Sequence, residues 1–82
     1  MLKIRMINPG LPADVIETHP DVTTIAGAKK VLGQWTQKGD MIDVIGTVQT
    51  AAGDTMTSLV IITPDGEPLD LFAQLITKGD AQ

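Results

Sequence analysis

Eighty-two residues are enough for a single domain over positions 1–82. Ten acids against six bases leave a net charge of -4, with no cysteine, no tyrosine and one histidine, His19. These counts exclude a disulfide scaffold, a thiolate metal site, a redox thiol, a cysteine nucleophile and a zinc site built on three histidines.

The apolar content is aliphatic. Leu, Ile, Val and Phe supply 23 residues, while Trp35 and Phe72 are the only aromatics. That is too much apolar surface for a disordered acidic tail. A domain this small buries a modest core, so self-association that extends the core is an expectation.

Residues 2–8 alternate, with Leu2, Ile4 and Met6 on one side and Lys3 and Arg5 on the other, which predicts a half-buried strand. Residues 9–24 are irregular. Pro9-Gly10 signals a turn, Pro12 suits the first position of a short helical turn over 13–18, and His19-Pro20 stops it. A connection of this length is either a binding loop or a connector anchored by Leu11, Val15 and Ile16. Thr23 or Thr24 then caps a helix. Ile25, Ala28, Val31, Leu32 and Trp35 form its apolar stripe, Lys38 falls in its last turn, and Gly39 provides a left-handed stop.

Residues 41–49 and 55–62 read as a β-hairpin joined through Gly53. The run 59–62 is apolar on both sides, as in a central strand. Thr63-Pro64-Asp65-Gly66 fits a type I turn. The segment after it is ambiguous. Leu69, Phe72, Ala73 and Ile76 fit a helix from Pro68 to Gly79, whereas Leu69 and Leu71 fit a short strand completing a three-stranded meander. The helix is preferred, because Val31–Asp40 (VLGQWTQKGD) and Leu71–Asp80 (LFAQLITKGD) share Gln, Lys, Gly and Asp at matching places, the grammar of a helix end. On this reading Trp35 and Phe72 anchor two helical stripes.

Little of the chain carries catalytic chemistry. Ser58 is the only serine and lacks a nucleophile elbow, and His19 has only Asp14 or Glu17 near it in sequence. The segment Gly27-Ala28-Lys29-Lys30 lacks the remaining positions of a phosphate loop. Asp40 with Asp43, and Asp65 with Glu67 and Asp70, do not follow the calcium-loop spacing. No catalytic residue, cofactor or metal ligand is assigned.

The span 39–72 resembles part of an oligonucleotide-binding barrel, through Gly-Asp, Met-Ile-Asp-Val-Ile-Gly-Thr-Val, Leu-Val-Ile-Ile and a turn. The resemblance implies nucleic-acid binding. The residues oppose it, because single-strand binders stack bases on aromatics above a basic groove, and this span holds one Phe and no base.

Charge is segregated along the chain. Positions 1–38 hold five bases and three acids, a net of +2; positions 39–82 hold Lys78 and seven acids, a net of -6. Turn chemistry accounts for several of these acids, since Asp40, Asp54 and Asp65 each adjoin a glycine.

The expectation is therefore an α+β two-layer domain of order β-α-β-β-α, with a three-stranded, mainly antiparallel sheet and helices on one face. Its expected role is a non-catalytic protein–protein interaction module, a small adaptor, assembly or inhibitor protein. It would use an acidic face of Asp40, Asp43, Asp65, Glu67 and Asp70, or a sheet edge. The alternatives are a nucleic-acid binder using Lys3, Arg5, Lys29, Lys30 and Lys38, and a metal or acid–base protein using the acids. With no signal-peptide pattern and no apolar run approaching a membrane span, the expected location is cytoplasmic and no membrane partner is expected.

Overall fold

The computed structural model describes residues 1–7, 10–12 and 14–78. Alternation builds the first strand, β1 (Leu2–Met6), in which Leu2 and Ile4 are fully buried and Lys3 and Arg5 occupy the other face. β2 (Asp14–His19) returns antiparallel beside it. The helix α1 (Ile25–Leu32) starts at Thr24, whose side chain accepts a hydrogen bond from the Gly27 N–H at 3.0 Å. A 3-10 turn over Gly33–Trp35 continues it.

Three strands complete the sheet: β3 (Met41–Gln49), β4 (Thr55–Ile62) and β5 (Pro68–Thr77). Turn chemistry sets both links. The Gly53 N–H donates to Thr50 and the Gly66 N–H to Thr63, the latter closing the turn begun by Pro64 and Asp65. All neighbours are antiparallel, in the order β2-β1-β5-β4-β3. β2 and β3 are thus the two edges, and α1 carries the chain from one edge to the other.

The core lies between α1 and one face of this sheet. Leu2, Ile4, Ala28, Leu32, Leu59, Ile61, Leu71, Ala73 and Leu75 are buried there, with Val22, Val31, Trp35, Ile42 and Leu69 packed against them. The shortest extent of the molecule is 20 Å, which accommodates one sheet and one layer of helix. An eight-residue helix is only ~12 Å long, so the far half of the β3–β4 hairpin projects beyond it.

The molecule is mostly sheet, and this overturns the expected three-stranded α+β domain of order β-α-β-β-α. Residues 68–77 form the middle strand rather than a helix. Leu69, Leu71, Ala73 and Leu75 make an unbroken stripe of period two, but Phe72 and Ile76 on the other side complete a helical stripe as well. The strand prevails because β1 and β4 both hydrogen-bond to it. Phe72 consequently anchors no helix and stays outside the core cluster.

Residues 14–19 likewise form a strand in place of the expected helical turn, because β1 offers them a partner edge. The likeness between 31–40 and 71–80 has no structural counterpart, since one copy is helical and the other extended. The Pro9 turn signal and the Gly79 helix stop lie outside the described residues.

Gly39 does not end the helix. It sits at φ +93 in the turn before β3, where a Cβ would lie 2.9 Å from Pro64 Cγ, so backbone conformation and space both call for glycine. Among the described residues, no helix is long and apolar enough to cross a membrane.

Candidate functional site

The second face of the sheet has no layer over it among the described residues. Cross-strand register arranges its side chains in rows. Arg5, Phe72, Val60 and Asp43 lie side by side across β1, β5, β4 and β3. Lys3, Gln74, Ser58 and Gly46 form the next row, and Ile76, Met56 and Val48 the one beyond. Each row therefore has an apolar or polar middle on β5 and β4. The first runs from a cation at one end to an anion at the other.

Half-buried Phe72, Val60, Ile62, Met56 and Ile76 make the apolar centre. Around it, Met41, Ile45 and Val48 are more than half exposed. A groove of ≈ 490 Å³ crosses this face, and its walls include Ile7, Ile45, Ser58, Val60, Asp70 and Phe72. Arg5 is held over the sheet by a 2.7 Å hydrogen bond from its Nε to Gln74 Oε1. Sequence reasoning assigned none of these five apolar residues to a site: Phe72 and Ile76 were placed in a helical stripe, and Val60 and Ile62 in a central strand. The available signal was the loss of alternation in 59–62 and 69–76, where both sides of the strand are apolar.

The predicted acids gather at one end of the sheet without converging. Asp40 caps the turn before β3, its carboxylate accepting the Gln37 N–H at 2.8 Å. Asp65 lies in the β4–β5 turn, and the Glu67 N–H donates to Thr63 Oγ1 at 3.3 Å within the same turn. Asp70 is exposed on β5, where its carbonyl accepts the Ile7 N–H. Asp43 lies on the open face, and the side chain of Asp70 shares that face with Phe72 and Gln74 and borders the groove there. Among the described residues, no three acids or histidines come together in a way that would hold a metal ion.

The cations also divide. Lys3 and Arg5 are on the open face, while Lys29 and Lys30 are exposed on the helix that covers the other face. Among the described residues they form no continuous basic groove. His19 lies on the helix side of β2, 2.7 Å from Glu17 Oε1, which also accepts from Gln34 Nε2 at 3.3 Å. This group ties the edge strand β2 to the end of the helical segment. A second cavity, ≈ 550 Å³, is bordered by Met1, Thr23, Asp54, Thr77 and Lys78. It contains no histidine and no serine to serve as nucleophile or base.

Both edge strands are interrupted. The register of β2 on β1 slips so that Ile16 is an extra residue between Val15 and Glu17, and β3 slips against β4 with Ile45 extra between Val44 and Gly46. Bulges of this kind twist an edge away from further pairing.

No family model matches the chain, and neither a curated protein nor a solved structure shows a significant match to it.

Proposed function

We propose that this chain is a non-catalytic protein–protein interaction module that docks a protein surface on the open face of its sheet. The observation that carries the reading is the two-sided apolarity of β4 and β5. An antiparallel sheet with one solvated face normally alternates apolar and polar residues, as β1 does. On β4 and β5 the uncovered side instead presents Met56, Val60, Ile62, Phe72 and Ile76, with Ser58, Asp70 and Gln74 among them. The apolar side chains form two bands divided by the polar row of Lys3, Gln74 and Ser58, and uncovered apolar surface bordered by polar and charged groups is the usual mark of an interaction surface.

This reading moves the docking surface away from the sheet edge and keeps only Asp43 and Asp70 of the predicted acids on it. Asp40, Asp65 and Glu67 are engaged in turns, and each edge strand carries a bulge. Nucleic-acid binding is less well supported, because the cations split between two sides of the molecule and Phe72 is the only aromatic on the open face. The cytoplasm is the proposed setting.

A photo-reactive amino acid placed at Phe72 tests the reading directly. Irradiation in a lysate of the native host should give covalent protein adducts from position 72 and none from Lys30 on the outer side of the helix. Equal labelling at both positions, or none at Phe72, would end it.

A further inference from the structure

We propose that the protein docked on the open face is a second copy of this chain, and that the two sheets close into a β-sandwich. The inference rests on the docking role given to that face and names its occupant. The two-fold axis runs along the strands, midway between the sheets and above the seam of β4 and β5.

The row pattern selects this axis. Rotation about a line along the strands keeps each row at its height and exchanges left with right. β1 of one copy then lies over β3 of the other, and β5 over β4. Arg5 comes to face Asp43 of the second copy, and Asp43 faces Arg5, so each dimer contains two such pairs. Phe72 faces Val60, Gln74 faces Ser58, and Ile76 faces Met56. The first row matches opposite charges at both ends, the second matches amide with hydroxyl while Lys3 comes over Gly46, and the third matches apolar with apolar. An isologous interface requires this self-complementarity.

A two-fold running across the strands along the first row would also stack these faces. It would set Arg5 against Arg5 and Asp43 against Asp43, a like-charge arrangement that opposes association. Stacked sheets lie ~10 Å apart, a gap that an arginine and an aspartate span together. Aligned packing within ~30° is the ordinary geometry for two such sheets.

Area sets the strength. Four strands spaced ~4.8 Å apart and about six residues long cover on the order of 400 Å² in plan, and more once side-chain relief is included. Counted over both partners that is about 800 Å² before relief, in the range of weak, transient association rather than of a standard stable interface, so the dimer is expected only at high concentration.

Sedimentation equilibrium on the purified full chain, from about 1 µM to 1 mM, should show the 8.7 kDa mass doubling with concentration. Val60→Asp should weaken the dimer by more than ~10-fold. Arg5→Asp and Asp43→Arg should each weaken it by at least ~10-fold, because each puts like charges together at both contacts. An equimolar mixture of those two variants should regain dimer, since the mixed pair matches opposite charges twice. That recovery cannot come from misfolded chains, and circular dichroism of each variant confirms its fold.

A chain that is monomeric across the whole range overturns the proposal, as does a dimer indifferent to Val60→Asp or a mixture that fails to recover. The crosslink at Phe72 separates this failure from that of the docking role. Adducts to a different protein, with the purified chain monomeric, remove self-pairing and leave the docking face standing. No adduct at all removes both.

Discussion

The two faces of the sheet are built from the same strands, one residue out of step, yet they have opposite fates. On the helix side, Leu59, Ile61 and Ala73 are at 0% exposure beneath α1. Their chain neighbours Val60, Ile62 and Phe72 point the other way and stay partly exposed. β1 behaves as a one-core sheet should, with Lys3 and Arg5 opposite Leu2 and Ile4. β4 and β5 do not, and the contrast lies in their second side. The lesson is that a missing alternation can mark a surface intended for cover.

The largest expected effect belongs to the covered face. Leu59→Ala should cost ~2–5 kcal/mol by urea denaturation, a large share of the total stability of a domain this small. Gly39→Ala comes next, at ~1–3 kcal/mol, because alanine there combines a positive φ with the close Pro64 ring. Thr24→Ala should remove the cap that holds the covering helix, at ~1 kcal/mol in the same measurement.

Val60→Ala, measured at high dilution, should cost under ~1 kcal/mol, because its side chain is uncovered in the single chain. A value equal to that of Leu59→Ala would erase the distinction between the faces. At high concentration the same substitution should lower the melting temperature further, through lost association. Lys30→Gln, on the outer side of the helix, should stay within ~0.5 kcal/mol and leave association unchanged.

Part of the site was legible in the sequence. The run 59–62 was apolar on both sides, and that property places Val60 and Ile62 on the open face. Asp43 was singled out, though as a member of an acidic face. Its neighbours in that group, Asp40 and Asp65, turned out to serve turns, and no sequence spacing could set Asp43 beside Val60 or in line with Arg5. Phe72 was assigned to a helix because residues 69–76 satisfy both periods at once. The reason for that ambiguity is the reason for the site: apolar residues on both sides of β5.

By itself the sequence determined β1, the capped helix and the β3–β4 hairpin, because alternation, a Thr cap and glycine turns act among near neighbours. Only the tertiary structure decided β2 and β5. Their backbone groups are satisfied by strands distant along the chain, such as Leu2 opposite Leu75, and no local pattern encodes which edge will be there to receive them.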